Sequence, residues 1–142
     1  MKITIGSDHR GYDLKESVKN VFRDIDWIDV GASDATERTD YPIFAKPVCE
    51  NILAGKAEWG ILMCGSGVGM SIAANRYKKI YAALCWNEVV AKQAREHDGA
   101  NVLVLPADFV DVEQASEIVK AWLFATFNGG RYQERLDMID GK

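Results

Sequence analysis

Short apolar segments alternate with amphipathic helical segments from one end of this chain to the other, which leaves the backbone few ways to arrange itself. Lys2 to Gly6 alternates apolar and polar residues and stops at Gly6-Ser7-Asp8-His9. Leu14, Val18, Val21, Phe22 and Ile25 then recur at helical spacing. Trp27 to Val30, Trp59 to Met63, Ile80 to Leu84 and Val102 to Leu105 read as further strands. Helical patterns cover about residues 68–77 and 87–97, and a long helix from about 111 carries Ala115, Ile118, Val119 and Trp122 on one face. Asn128-Gly129-Gly130 breaks it, and a last short helix starts at Arg131. Asp40-Tyr41-Pro42 reads as a helix start. Pro47 is expected to kink that helix or delay its true start. Strict alternation requires parallel strands joined by right-handed crossovers, with helices on both faces. The expected fold is α/β: a single doubly wound, Rossmann- or flavodoxin-like domain over residues 1–142 with a five-stranded parallel sheet.

A net charge of −4 gives no basic face to pull on phosphate backbones, arguing against nucleic acid and anionic membranes as partners. Any phosphate site must then be a local cluster of cations. No apolar run approaches the ~20 residues of a membrane span, and the chain opens on a strand rather than a signal peptide, so a cytoplasmic location is expected. Cys49, Cys64 and Cys85 lack metal-type spacing, and His9 and His97 are the only imidazoles, so no metal site is expected.

The chemistry-bearing stretch is Trp59 to Asn75. An apolar strand runs into Cys64, then into glycines at 65, 67 and 69, then into a small-residue helix near Val68. A lone cysteine after a strand is ordinarily a small buried side chain. Here, the helix start and the loop N–H groups favour a thiolate and can hold an oxyanion or phosphate. Position 70, where a dinucleotide loop would place its third glycine, is Met70, and no Gly-Lys-Ser/Thr occurs. Cys49 and Cys85 read as core. Asp8 and His9 end the first strand, on the edge where Cys64 lies. Val90, Ala94 and His97 share a helix face, and either histidine is on its own as readily structural as functional. A carboxylate and an imidazole on one rim are the groups that sugar-ring opening uses. Arg131 and Arg135 lie on one face of the last helix and can clamp a phosphate or simply face solvent. Tyr132, Leu136 and Ile139 form the adjoining apolar stripe, a face able to pack on a second subunit and deliver the arginines in trans. A flavodoxin-like binding module without covalent chemistry also fits these residues.

Taken together, Gly6-Ser7-Asp8-His9, Glu37-Arg38-Thr39-Asp40-Tyr41-Pro42, Cys64 to Gly69 with Ile72-Ala73-Ala74-Asn75, Arg95-Glu96-His97, Asn101-Val102, and Gly130-Arg131 with Arg135 resemble the type B ribose-5-phosphate isomerases and the related galactose-6-phosphate isomerase subunits. The resemblance spans nearly the whole chain. It implies a cofactor-free and metal-free aldose–ketose isomerase, a homodimer or dimer of dimers with sites at the subunit interface. It also implies a role for each matching residue. Cys64 would shuttle the proton between C1 and C2, Gly65, Gly67, Val68 and Gly69 would form the anion hole, and Ser66 would bond the sugar beside the migrating proton. Asp8 and His97 would open the ring, His9, Arg131 and Arg135 would contact the phosphate, and Tyr41 would line the pocket. The family usually has Asn after this histidine, where Asp98 stands, and an Arg just beyond the following strand, where this chain reads Ala107-Asp108. Asp98 falls among the substrate contacts, and Arg10 is the cation placed to offset both changes. Tetrose, allose and galactose phosphates remain alternative substrates.

Overall fold

The computed structural model describes residues 1–141. Strands β1 (Lys2–Ser7), β2 (Asp26–Asp29), β3 (Trp59–Cys64), β4 (Ala82–Leu84) and β5 (Val102–Pro106) alternate with helices α1 (Tyr12–Val21), α2 (Pro42–Leu53), α3 (Val68–Ala74), α4 (Glu88–Asp98), α5 (Val112–Phe124) and α6 (Arg131–Ile139). A 3₁₀ turn, His9–Gly11, leads into α1. The sheet is five-stranded, in the order β2-β1-β3-β5-β4, and every neighbouring pair is parallel. The chain leaves β1 toward one edge and β3 toward the other, so the topological switch lies between them. Ligand crevices form at such switches, outside the carboxyl ends of the strands.

Alternation along each strand sends side chains to two apolar layers. Ile3, Ile5, Ile61, Met63, Leu103 and Leu105 pack against Leu14, Val18, Ala91, Ala115, Ile118 and Trp122 from α1, α4 and α5. Leu62, Cys64, Val102 and Val104 pack against Ala45, Val48, Cys49, Met70 and Ala74 from α2 and α3. Burial of each large apolar side chain contributes about 1.5–3 kcal/mol, so the central strands β1, β3 and β5 are the rigid part of the fold.

Two expectations need correction. Pro47 does not delay the start of α2, which runs from Pro42 to Leu53. Its missing N–H costs one bond near the first turn, while Ala45, Val48 and Cys49 stay fully packed. Residues 80 and 81 lie outside β4. There, Tyr81 N–H donates to Asn101 Oδ1 at 2.8 Å, and Ala82 exchanges two bonds with the Asn75 amide, at 2.8 and 3.0 Å. The Asn75 amide thus substitutes for a neighbouring strand and blunts the free edge of β4, whereas Asn101 lies on the β5 side, where its own N–H also donates to the Tyr81 carbonyl at 3.1 Å. In α6, Leu136 is buried but Ile139 is exposed, so the apolar stripe is only partly used within the chain. No described helix is long and apolar enough to cross a membrane.

Candidate active site

The register of the two central strands sets the geometry. Ser7 pairs with Met63, so the next residues, Asp8 and Cys64, leave β1 and β3 side by side. Neighbouring strands run about 4.8 Å apart, and Asp8 N–H donates to the Met63 carbonyl at 3.3 Å, extending the pairing beyond β1. Cys64 is 5% exposed at the end of its strand, whereas Cys49 and Cys85 are fully covered. Burial pushes both of those thiols up to about 12, leaving them inert at neutral pH.

Asp8 does two things. Its Oδ1 accepts from the N–H groups of Arg10 (3.0 Å) and Gly11 (3.1 Å), capping the 3₁₀ turn. Its Oδ2 meets no donor among the described residues. This capping role was not anticipated from the sequence.

Beyond Cys64 the chain makes a tight turn that requires glycine. Gly67 has φ +79°, and a Cβ there would lie 2.5 Å from Leu84 Cδ1. A Cβ at Gly69 would lie 2.6 Å from the Tyr41 ring, so the tyrosine lies directly against the loop. Val68 N–H donates to Ser66 Oγ at 3.2 Å, leaving the exposed Ser66 hydroxyl hydrogen available. The N–H groups of Gly65, Ser66, Gly67, Gly69 and Met70 meet no acceptor among the described residues. This row of unpaired donors, at a strand end and a helix start, can receive a developing negative oxygen.

His9 is held by Thr39, in the loop before α2. His9 N–H donates to Thr39 Oγ1 (2.9 Å), and Thr39 N–H donates to His9 Nδ1 (3.2 Å). With Nδ1 accepting, the neutral ring carries its proton on Nε2, as an outward donor. Thr39 belongs to a motif recognised in the sequence, but its positioning role emerges only from the fold.

His97, Asp98, Arg131 and Arg135 lie elsewhere. The His97 ring stacks on Tyr132 (centroids 4.8 Å apart, 11° between planes). Arg131 and Arg135 place their guanidinium carbons 5.1 and 5.5 Å from that same ring. The cluster sits where α4 ends before β5. That is the amino-terminal edge of the sheet, since Val102 pairs with Gly60 and Cys64 lies four residues further along β3. One copy of the chain therefore places the sequence-predicted residues in two groups at opposite sheet edges: Asp8, His9, Tyr41, Cys64 and Ser66 with the glycine loop, and His97 with Asp98, Arg131 and Arg135.

Arg95, two residues before His97, was given no role from the sequence. It is 4% exposed, with its guanidinium 3.7 Å from the Trp59 ring and 4.4 Å from that of Trp122. Nε donates to the Trp122 carbonyl at 3.2 Å. Burial lowers its pKa to about 10, so it stays charged at neutral pH. Arg95 thus pins the last turn of α4, and with it His97, to β3 and α5. The neighbours flanking Gly65 are also charged: Arg10 and Asp108 form an ion pair across it.

Residues 3–139 match the family described as Ribose/Galactose Isomerase, and the chain belongs to that family. It is 42% identical over 140 residues to ribose-5-phosphate isomerase B of Escherichia coli, covering 97% of this chain and 93% of that one. The structure superposes on a ribose 5-phosphate isomerase of Thermotoga maritima with a TM-score of 0.97 and 47% identity, covering 99% and 98% of the two chains. It superposes on ribose-5-phosphate isomerase B of Mycoplasma genitalium, solved with bound ribulose 5-phosphate, with a TM-score of 0.92 and 39% identity, covering 98% and 93%. This chain is a sugar-phosphate isomerase.

Proposed function

We propose that the protein interconverts ribose 5-phosphate and ribulose 5-phosphate through a cis-enediolate, without a metal ion. The observation that carries this reading is the side-by-side exit of Asp8 and Cys64 beneath a row of unpaired N–H donors, in a chain whose relatives are named for that reaction. Cys64, as thiolate, takes the proton from C2 of the open-chain aldose and returns it to C1. The hydroxyl proton moves between O2 and O1 as the carbonyl shifts. Loop N–H groups stabilise the negative oxygen, each donor contributing about 3–4 kcal/mol in a water-poor site. Asp8 Oδ2 is the acceptor for the anomeric hydroxyl, Ser66 donates to the sugar, and His9 presents its Nε2 proton to the phosphate.

A second copy of the chain supplies what this edge lacks. His97, Arg131 and Arg135 would complete ring opening and phosphate binding in trans, in a homodimer or a dimer of dimers. One feature supports this arrangement: Val68 and Ile72 expose apolar side chains on α3, beside the glycine loop. A cytoplasmic setting suits three free thiols.

The test is a coupled assay of the purified protein against a panel of aldose phosphates, with a chelator present throughout. Turnover of ribose 5-phosphate at a rate unaffected by chelator is expected. No turnover of it, or turnover only with added metal, would overturn the reading.

A further inference from the structure

We propose that Arg10 and Asp108 form a parked ion pair across the glycine loop, from which an anionic ligand of the Cys64 pocket draws the guanidinium inward. This deepens the reading of the Cys64 site and assigns two residues to the charge selectivity of its mouth.

The placement comes from the sheet order. β3 lies between β1 and β5, so the residues that follow those strands flank the loop that follows β3. Arg10 sits in the turn after β1, and its Nη2 donates to Asp108 Oδ2 from the segment after β5. The pair passes directly over Gly65. A Cβ on that residue would lie 2.7 Å from Asp108 Oδ2 and 3.0 Å from Arg10 Cζ. Asp108 is fixed from below, because its N–H donates to the Gly65 carbonyl at 2.9 Å while Ala107 N–H donates to the Cys64 carbonyl at 2.9 Å. The carboxylate is therefore anchored to the loop that it overhangs.

Arg10 is anchored only through its tip. Its side chain is 58% exposed and that of Asp108 35%. An ion pair this open to water is weak and easily exchanged. Arg10 has a long flexible stem, and its planar guanidinium suits bidentate capture of a phosphate or carboxylate. Asp108 alone would do the opposite, placing a negative charge beside the donors meant for an anion. Paired, the two present a nearly neutral rim. When an anion enters, Arg10 moves from Asp108 to the anion, and the charge at the mouth rearranges without a change in fold. The ligand class is a small molecule bearing a phosphate or carboxylate, such as a sugar phosphate.

The experiment uses Cys64 itself as the reporter. The intact protein is alkylated with iodoacetate, which is anionic, and in parallel with iodoacetamide, which is neutral. Modification of Cys64 is followed by peptide mass spectrometry, with the buried Cys49 and Cys85 as internal controls. The ratio of the two rates measures charge selectivity and needs no isomerase activity. Arg10→Ala is expected to lower the iodoacetate-to-iodoacetamide ratio roughly three- to tenfold, the scale of one unit charge near the mouth. Asp108→Asn is expected to raise it, Arg10→Lys to retain most of it, and Arg10→Ala/Asp108→Asn to lie closer to wild type than Arg10→Ala. In the isomerase assay, KM for the sugar phosphate should follow the inverse order, with kcat moving less. An unchanged ratio across the set, or a loss from Asp108→Asn equal to that from Arg10→Ala, would overturn the proposal. Absence of isomerase activity in the wild type would instead strike at the function proposed above and leave the alkylation result readable.

Discussion

Asp8 and Cys64 exit adjacent parallel strands at the same level, because the Ser7–Met63 pairing immediately precedes them. Asp8 uses one oxygen for the cap of the following turn and leaves the other without a donor among the described residues. Its two roles can be separated. Asp8→Asn keeps an oxygen acceptor for the cap, so its denaturant midpoint should stay near wild type while kcat/KM falls about 10²-fold. Asp8→Ala should lose the same activity and about 1 kcal/mol of stability as well. If Asp8→Asn turned over normally, Asp8 would be a cap and nothing more.

The reciprocal pair between His9 and Thr39 fixes which imidazole nitrogen carries the proton. Thr39→Ala removes the hydroxyl acceptor and loosens the loop that presents the Thr39 N–H. Nitrogen NMR of His9 is expected to show a single Nδ1-accepting tautomer in wild type and a mixture in the variant. KM for the sugar phosphate should rise about fivefold with little change in kcat, as loss of a contact made equally in ground and transition states requires.

Because His97 and Arg135 lie at the sheet edge opposite Cys64, activity should be recoverable by mixing. Cys64→Ala and Arg135→Ala proteins, each inactive, would be co-refolded in equal amounts. Random pairing puts both lesions in one site of each mixed dimer and leaves the other site intact, so about a quarter of wild-type activity should return. No recovery, despite mixed dimers shown by native mass spectrometry, would mean that the two half-sites never meet.

Stability in acid should report on Asp29. Its desolvation opposes ionisation, but hydrogen bonds from Lys15, Lys19 and the Gly31 N–H outweigh that, and its pKa lies below the usual 3.8. Lys15 Nζ is 2.7 Å from Asp29 Oδ2, on a side chain only 2% exposed. A carboxylate with a lowered folded-state pKa stabilises the fold above its unfolded pKa and loses that contribution as pH falls through the folded value. Wild type should therefore lose stability below about pH 4. Asp29→Asn should be less stable by about 3 kcal/mol at pH 7, with the buried Lys15 left only the 3.9 Å contact to Glu16 as an ion pair, and should show a shallower acid dependence in urea titrations. Equal slopes for the two proteins would remove Asp29 from the account.

Much of the architecture was legible because short buried strands and amphipathic helices have different periods. Lys2 to Ser7 and Trp59 to Cys64 are strands for the reason their patterns suggest. The glycine loop was legible because only glycine tolerates the φ of +79° at residue 67 and the approach of Tyr41 to residue 69. What sequence could not supply was the strand order, and with it the company each residue keeps. His97 was paired with Asp8 in ring opening, yet within one chain the two stand at opposite edges of the sheet. Arg95 finds its two indole partners 36 and 27 residues away, a contact that no local pattern encodes. Asn75 and Asn101 were noticed as parts of motifs, and the structure supplies their physical roles: Asn75 stands in for a strand on the free edge of β4, and Asn101 ties the segment before β4 to the start of β5. Arg10 was expected to serve as a phosphate cation; its engagement by Asp108 depends on β3 lying between β1 and β5.

The most direct measurement of the central claim follows ribose 5-phosphate in D₂O by proton NMR, with wild-type protein and with Cys64→Ala. Wild type should form ribulose 5-phosphate and wash solvent deuterium into the carbon-bound positions that exchange. Cys64→Ala should still bind the sugar phosphate with KM or Kd within a few-fold, while isomerisation and deuterium exchange both fall by about 10²–10⁴-fold. Exchange by Cys64→Ala at a rate near that of wild type would contradict the assignment of this thiol as the base.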